Sequence, residues 1–364
     1  MSDTIVITEI RSEARRTFEI CNACRYCEGF CAVFQEMTDH RTFKDATLDH
    51  LANLCHNCTA CFHACQYKPP HEFAIDVPQV LAELRPQTWQ EHAWPPTFAR
   101  LLERRGVSIS LLIASVFSLF LGLSLALIDQ NILTAQHIGS GAFYKIIGHG
   151  TIVLLAGAAS LWAIVAMCVS ANRYRQSQAF HDNSLHSASV RTAWRSVLHD
   201  IFYLRHLGGG HDEGCNEEDD RFTNLRRYFH HLTMWGFLLC FAATSVATVY
   251  ELLLGWQSPF PHTSLPVLLG IFGGIGLLIG PIGLLYLNAK RDDLHGMSVA
   301  FIVLLFLISL TGFGLLILRE TSAMGTLLAI HLGLVLAFFV TLPYTKFVHA
   351  IYRTLALIQF HRIS

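Results

Sequence analysis

The sequence of 364 residues has few charged side chains. Asp, Glu, Lys and Arg together make up 15% of it, and apolar residues make up 52%. Soluble domains contain about a quarter charged residues. This composition argues against an ordinary soluble protein and predicts contact with a lipid bilayer. The formal net charge is −1, so the chain lacks the basic field of a protein that binds nucleic acid.

Motifs for bond-making chemistry are also lacking. The sequence has no Gly-rich dinucleotide fingerprint, no P-loop and no Ser/His/Asp set. We therefore do not expect a stand-alone enzyme. The N-terminal segment has no continuous apolar stretch of the kind found in signal peptides, so we expect it to stay in the cytoplasm.

Six long apolar runs occupy the C-terminal two thirds of the chain. Each is long enough to cross the roughly 30 Å hydrocarbon core of a membrane, and each lacks Lys and Arg over its central part. The alternative, buried helices of a soluble protein, is a poor explanation for six such runs. The predicted spans are 109–128, 149–170, 231–254, 265–287, 297–318 and 325–347.

The distribution of Lys and Arg predicts the orientation. Of the 26 cationic residues, 24 lie in the N-terminal segment, the connections between spans two and three and between spans four and five, and the C-terminal segment. The remaining connections contain only Lys145 and Arg319. Because cations favour the cytoplasmic side, we expect both termini in the cytoplasm.

Eight of the eleven cysteines repeat one spacing twice. The two motifs are Cys21-x2-Cys24-x2-Cys27-x3-Cys31 and Cys55-x2-Cys58-x2-Cys61-x3-Cys65. Bacterial ferredoxins use this spacing for [4Fe–4S] clusters, and the fourth cysteine of each motif ligates the other cluster. We therefore assign two ligand sets: the first cysteine set is Cys21, Cys24, Cys27 and Cys65, and the second cysteine set is Cys31, Cys55, Cys58 and Cys61.

Zinc is the alternative metal for these cysteines. It prefers two separated Cys-x2-Cys pairs, which would leave half of the regular spacing unexplained. The proline that usually follows the fourth cysteine is replaced by Ala32 and Gln66, and this change removes no ligand. The segments around the second motif have helical periodicity and no strand alternation, which favours an all-helical ferredoxin-like domain.

Histidines at membrane depth are candidate ligands of haem iron. His331 and His349 are 18 residues apart, which is five whole turns of an α-helix, so we expect them on one helical face about 27 Å apart. His149 is predicted at the depth of His331, and His230 and His231 at the depth of His349. This pattern predicts two haems b. The sequence does not decide which of His230 and His231 points inward.

Small residues accompany these histidines. Gly148 and Gly150 flank His149, Gly333 follows His331, and Gly236 lies beyond His231. Because small residues allow close approach to a helix backbone, we interpret them as contacts for a flat macrocycle. The alternative is that the histidines at helix ends only anchor the membrane interface, and that His331 makes a haem-free polar contact.

The fold class that these observations predict is all-α. A ferredoxin-like domain with two [4Fe–4S] clusters occupies 1–107, and a six-helix transmembrane haem b domain occupies 108–364 with a cytoplasmic loop at 171–229. The cofactors form a chain of one-electron carriers that ends in the membrane. A lipophilic quinone is therefore the expected acceptor.

The paired cysteine motifs, the loop GGGHDEGCNEED, the segment RRYFHHLTMWGFLLCFAATSVATVYE and the segment KFVHAIYR resemble the CitB-type tricarballylate utilization proteins. The resemblance covers essentially the whole chain. It implies a protein of the bacterial inner membrane whose partner is an FAD-dependent dehydrogenase on the cytoplasmic side. Electrons from the reduced flavin would pass through the clusters and haem b to the quinone pool.

Two other functions remain open at this level. A subunit that oxidises quinol and feeds a soluble reductase would use the same carriers in the opposite direction. A haem-free membrane anchor for an iron–sulfur redox sensor would need only the cysteine motifs. The substrate of a partner dehydrogenase is not encoded in this chain.

Overall fold

A computed structural model describes residues 2–102, 107–179, 190–209, 214–217, 219–290 and 296–363. The all-α prediction is confirmed, since 77% of the structure is helical. In the described residues one two-stranded antiparallel ribbon pairs Cys215–Asn216 with Phe222–Thr223. The helices in chain order are α1 Ser2–Cys24, α2 Ala32–Thr38, α3 Asp45–Leu54, α4 Ala60–His63, α5 Val77–His92, α6 Pro96–Leu102, α7 Val107–Leu127, α8 Gln130–Leu133, α9 His149–Ala179, α10 Val190–Tyr203, α11 Leu225–Leu254, α12 Leu265–Lys290, α13 Gly296–Leu318, α14 Met324–Thr341 and α15 His349–Ile363.

The chain forms two compact units, and the first is assembled from three separate segments. It contains Met1–Leu101, Ala166–Arg227 and Phe347–Ser364, whereas the second contains Leu102–Val165 and Tyr228–Lys346. The C-terminal helix α15 therefore folds with the cysteine motifs. Residues 103–106, next to the predicted domain boundary, lie outside the described residues.

The core of the first unit is an apolar layer between α1, α3, α5 and α15. Leu51 and Leu81 are fully buried there, and Leu357 of α15 is 1% exposed. Helix α5 begins at a capped end, because the side chain of Asp76 accepts a hydrogen bond from the backbone N–H of Gln79 at 3.0 Å. An N-cap of this type stabilises a helix by about 1 kcal/mol.

Asp200 on α10 joins α15 to the rest of the first unit. Its Oδ2 lies 3.1 Å from Nε2 of His206 and 2.7 Å from Nε2 of His361. Burial favours the neutral acid, but the hydrogen bonds from the two imidazoles outweigh it and lower the pKa of Asp200 to about 2. The carboxylate is therefore ionised at neutral pH and holds the C-terminal helix against α10.

Six helices are long and apolar enough to cross a membrane: α7, α9, α11, α12, α13 and α14. Each predicted span falls on one of them. Many of their large apolar side chains are exposed, including Leu154, Leu253 and Ile317. Exposed apolar surface of this extent is typical of helices that face lipid. These helices are those of a membrane-spanning protein.

Helices α11 and α12 of the second unit pack through glycines. A Cβ atom on Gly236 would lie 2.8 Å from the carbonyl oxygen of Gly273 and 3.0 Å from the carbonyl carbon of Gly276. Glycines therefore allow the two backbones to touch, as is common between helices in membranes. The predicted haem contact at Gly236 is wrong, because the neighbouring helix fills that space.

Gly333 has a similar role in the second unit. A Cβ atom there would lie 3.1 Å from the rings of Phe117 and Phe120 on α7. The interpretation of Gly333 as a haem contact is therefore also wrong. Gly150 has no atom within 4 Å of its Cβ position, so it packs against no described residue.

The last membrane helix ends earlier than the sequence predicted. Helix α14 stops at Thr341, two 3₁₀ turns follow, and Thr345 between them has extended backbone angles, φ −97° and ψ 175°. Pro343 lies in the first of these turns, where its missing N–H ends helical hydrogen bonding. His349 begins the separate helix α15. The prediction that His331 and His349 share one helical face is therefore wrong.

The glycine contact between α11 and α12 gives a test of the fold. We expect Gly236→Leu to destabilise the protein by about 1–3 kcal/mol, because the added side chain forces two backbones apart. Gly122→Leu is the matched control, since no atom lies within 4 Å of that Cβ position. Thermal unfolding in detergent should show a lower midpoint for the first variant only. Equal midpoints would contradict the packing.

Candidate iron–sulfur and haem sites

The four residues of the first cysteine set lie around one cavity. The cavity has a volume of about 220 Å³ and is lined by Cys21, Cys24, Cys27 and Cys65, with Tyr26 and Tyr67 among its other walls. Cys24 is exposed, and Tyr26 is 67% exposed. The cavity thus brings three cysteines of the first motif together with the last cysteine of the second motif. This donor set fits a [4Fe–4S] cluster.

The second cysteine set lies around a separate, smaller cavity. Cys31, Cys55, Cys58 and Cys61 line a space of about 20 Å³, which is near the volume of one water-sized probe. Here the fit to a cluster depends on the four thiol donors and not on the volume. The crossing of Cys31 and Cys65 between motifs remains a ligand prediction, and the grouping of the side chains agrees with it.

Left-handed backbone turns place the cysteines around the cavities. Arg25 has φ 57° between two ligands of the first motif, and Asn57 and Thr59 have φ 57° and 60° in the second. Backbone amides also point at sulfur: the N–H groups of Asn57 and Tyr67 lie 3.4 Å from Sγ of Cys55 and Cys65, respectively. Hydrogen bonds to sulfur favour a negatively charged ligand.

Burial and the neighbouring thiols act together on the first set. They raise the pKa of Cys21 and Cys27 to about 12. Burial likewise raises the pKa of Cys31 and Cys61 in the second set. These thiols are therefore protonated at neutral pH unless a metal takes the place of the proton, and bound iron would stabilise them as thiolates.

The described residues contain no group of three or more His, Cys, Asp or Glu side chains that converges on one metal ion. A [4Fe–4S] cluster does not need such a group, because each of its four cysteines binds a different iron atom at a different corner. The open ring of four thiols around each cavity suits a cluster better than a single zinc ion, whose four ligands point at one centre.

A loop of the 171–229 segment fixes the second motif, which sequence reasoning missed. The backbone N–H of Asn216 donates to the carbonyl oxygen of Cys58 at 3.1 Å, and the hydroxyl of Thr59 donates to the carbonyl oxygen of Asn216 at 2.6 Å. Asp220 pairs with Nδ1 of His63 at 2.9 Å. The loop thus fixes the backbone that carries the second cysteine set.

Two arginines bind the C-terminal end of α3, directly before Cys55. Nη2 and Nη1 of Arg353 donate to the carbonyl oxygens of Leu54 and Cys55 at 3.0 and 3.4 Å. Nε of Arg85 donates to the carbonyl oxygen of Ala52 at 2.7 Å. Arg353 was missed because it lies almost 300 residues from Cys55 in sequence, and no spacing rule connects them.

His331, in the second unit, is held by a neighbouring helix. Its Nδ1 lies 3.1 Å from Oγ1 of Thr311, and that hydroxyl donates its own hydrogen to the carbonyl oxygen of Leu307 at 2.8 Å. The carbonyl oxygen of Ile308 is a second acceptor for this hydroxyl at 3.1 Å. In the tautomer that carries its hydrogen on Nδ1 and donates it to Thr311, Nε2 is unprotonated. Imidazole ligands of metals are commonly oriented by such a second hydrogen bond, so His331 fits an axial ligand of haem iron.

His149 has different surroundings in the same unit. Its Nε2 lies 3.4 Å from Oε2 of Glu251, and its ring makes an edge contact with Tyr144 at 5.0 Å. Tyr144 and Ser258 both donate to Oε1 of Glu251. Burial, and then Glu251, raise the pKa of Tyr144 to about 12. Because Glu251 engages Nε2 of His149, this histidine fits iron less well than His331 does.

The remaining candidate ligands lie near helix ends. His230 and His231 are in the second turn of α11, and His349 is the first residue of α15. We predicted that these histidines lie at the same membrane depth because we expected one continuous helix from His331 through His349. The structure has no such continuous helix, since α14 ends at Thr341. Their roles as ligands stay predictions.

Two family models match successive parts of the chain. The family model for citrate utilization protein B matches residues 100–363, and the model for the Fer4-like domain of citrate utilization protein B matches residues 14–93. The chain is 48% identical over 361 residues to "Citrate utilization protein B" of Escherichia coli, which covers 97% of this chain and 93% of the relative. No solved structure matches the chain.

The two ligand sets give a test by single substitutions. Cys65→Ala and Cys24→Ala should remove the same EPR signal of the reduced protein, whereas Cys31→Ala and Cys58→Ala should remove the other. Each should lower the non-haem iron content by about half, because one of two clusters is lost. Cys168→Ala, at an exposed cysteine outside both sets, is the control. If Cys65→Ala and Cys58→Ala removed the same signal, the crossed assignment would be wrong.

Proposed function

Since the chain belongs to the citrate utilization protein B family, we propose that it is a membrane electron-transfer protein. It accepts electrons from a reduced FAD-dependent dehydrogenase and passes them through two [4Fe–4S] clusters and haem b to quinone. The observation that carries this proposal is the grouping of eight cysteines into two sets of four within one helical unit.

The overall reaction balances in electrons and protons. Reduced flavin on the dehydrogenase gives up two electrons and two protons, and quinone takes up two electrons and two protons to become quinol. Clusters and haem b supply one-electron carriers between these two-electron partners. The chain's own residues hold the carriers, exclude water and orient the partner, and they break no bond of an organic substrate.

The first cysteine set is where we propose that electrons arrive. Cys24 is exposed, and the neighbouring ring of Tyr26 is 67% exposed at the rim of the cavity. Phe73 is 38% exposed and contacts Tyr67 of the same cavity wall at 5.5 Å. Exposed aromatic rings are typical of protein interfaces, so a flavoprotein docked here would reach the cofactor directly.

The set of chain segments that form the first unit supports the proposed membrane orientation. The N-terminal segment, the segment between α9 and α11 and the C-terminal helix fold into one unit. We propose that these segments lie on one side of a bilayer, which agrees with an even number of spans and two termini on the same side. The excess of Lys and Arg in the same segments favours the cytoplasmic side of the bacterial inner membrane.

His331 is the residue that we propose as an axial ligand of haem b, because Thr311 leaves its Nε2 free to bind iron. A second ligand comes from His149, His230 or His231 in the same unit. His149 must leave Glu251 to take this role. We propose a second haem with His349 as a ligand only on the basis of the sequence pattern.

The substrate is chosen by the dehydrogenase and not by this chain. The relative from Escherichia coli is named for citrate utilization, and the sequence motifs resemble proteins of tricarballylate utilization. Both molecules are tricarboxylates, so we propose a tricarboxylate dehydrogenase as the flavoprotein partner.

The proposal is tested with the purified protein in liposomes that contain a quinone. A tricarboxylate and its FAD-dependent dehydrogenase are added, and flavin absorbance, haem absorbance and quinol are followed together. We expect about one quinol for each flavin reoxidised, because both carry two electrons. His331→Ala should lose the b-type absorbance of one haem and reduce quinol formation to background with unchanged iron–sulfur content. His137→Ala, outside the proposed ligands, is the control.

Two outcomes would contradict the proposal. If quinol reduced the haem while the reduced flavoprotein did not, the direction would be the reverse. If the protein contained iron–sulfur clusters but no b-type haem, it would be a haem-free membrane anchor. Unchanged haem content in His331→Ala would reject that ligand alone.

A further inference from the structure

Two guanidinium groups lie beside the second cysteine set. Helix α3 ends at Leu54, and Cys55 follows as the first ligand of that set. Arg353 reaches this end from α15 and donates to the carbonyl oxygens of Leu54 and Cys55 at 3.0 and 3.4 Å. Arg85 reaches it from α5 and donates to Ala52 at 2.7 Å. Both arginines belong to the same compact unit as the cysteines.

Neither arginine has an acidic partner among the residues that the structure describes. Each forms hydrogen bonds only to backbone carbonyl groups, and Nη2 of Arg85 is buried without a hydrogen-bond partner. Two partly buried cations close to one another are unfavourable unless an anion lies nearby. Four thiolates that hold a cluster in the neighbouring cavity would form such an anion.

The electrostatic interactions of Arg353 indicate that it lies close to the second cysteine set. Burial and the charge of Arg85 lower the pKa of Arg353 to about 10, and Cys55, Cys31 and Cys58 oppose that effect. The arginine remains charged at neutral pH. Its charge therefore interacts with three of the four residues in the second cysteine set.

Among the residues that the structure describes, the partly buried cation beside the first cysteine set is Lys68, whose Nζ donates to the carbonyl oxygen of His63 at 3.1 Å. Its charge acts on the acidic Asp220, so it differs from Arg353 and Arg85, which have no acidic partner among these residues. The charged forms that act on Cys21 and Cys27 are those of neighbouring cysteines. Arg25, which lies between Cys24 and Cys27 in sequence, is exposed and its Nε donates to the backbone oxygen of Asn22. Water screens an exposed charge strongly. The two sets thus differ in their electrostatic surroundings although their cysteine spacing is the same.

We propose that Arg353, with Arg85, raises the reduction potential of the second cluster above that of the first, so that an electron arriving at the exposed first set moves to the second. The transfer oxidises one cluster and reduces the other by a single electron. No proton is taken up, because the guanidinium group stays charged. This inference rests on the proposed function for the presence of both clusters.

The physical cause is the charge that reduction adds. A cluster with four thiolate ligands becomes more negative when it gains an electron, and a nearby cation in a medium of low dielectric constant stabilises the added charge. The C-terminal end of α3 carries the negative end of its helix dipole, which opposes reduction. Arg353 and Arg85 bind that end and offset its effect. They are positioning residues, since neither is a ligand.

The test is a redox titration of the holoprotein with EPR detection. Arg353→Gln removes the charge, and Arg353→Lys keeps it. We expect Arg353→Gln to lower the ratio of reduced to oxidised second cluster at fixed potential by about tenfold, which corresponds to about 59 mV for one electron. The first cluster should keep its potential, and Arg353→Lys should shift the second cluster much less. Arg362→Gln, an exposed residue on the same helix, is the control.

An unchanged potential of the second cluster in Arg353→Gln would overturn the inference, and so would equal shifts of both clusters. If Arg353→Gln loses the second cluster, the same titration is made with Arg85→Gln. An unchanged reduction potential of the second cluster in that variant would then overturn the inference. A wild-type protein in which the first cluster has the higher reduction potential would also contradict the inference. The proposed function fails separately: clusters with the expected potentials that deliver no electrons to quinone would contradict it and leave this inference standing.

Discussion

The arrangement of the first unit depends on thiol groups whose ionisation is opposed by burial and would be favoured by bound iron. Cys21, Cys27, Cys31 and Cys61 all have their ionisation opposed by burial. Cysteines buried without a metal would simply be protonated apolar side chains. These four and four further cysteines, of which Cys24 is exposed and the others are partly buried, surround two cavities in groups of four. Iron would turn these rings of weak acids into the thiolate sites that a chain of electron carriers needs.

The C-terminal helix α15 packs against the part of the first unit that carries the cysteines. Its Leu357 is part of the core of the first unit, its His361 binds Asp200, and its Arg353 binds the end of α3. A sequence segment that follows the last membrane helix thus binds the backbone directly before the second cysteine set.

Much of the fold and the cysteine sites could be predicted from local pattern. Apolar runs predict the number of membrane helices, and the spacing from Cys55 to Cys65 predicts cysteine ligands of an iron–sulfur cluster. Both patterns depend only on residues that are close together in sequence. The end of α14 could not be predicted from hydropathy, since Pro343 and Thr345 break the helix inside an apolar run. Gly236 and Gly333 were misinterpreted because a helix and a macrocycle require the same small residue. Arg353 contacts Cys55, and Thr311 contacts His331, but each partner is far away in sequence and no sequence motif contains both residues.

The central claim is that the eight cysteines hold two clusters, and it is tested most directly by iron and acid-labile sulfide analysis of anaerobically purified protein with Mössbauer spectroscopy. The account predicts about eight non-haem iron atoms and about eight sulfides per chain, with all of this non-haem iron in [4Fe–4S] form. Stoichiometric zinc without labile sulfide, or a chain that takes up no iron on reconstitution, would contradict it.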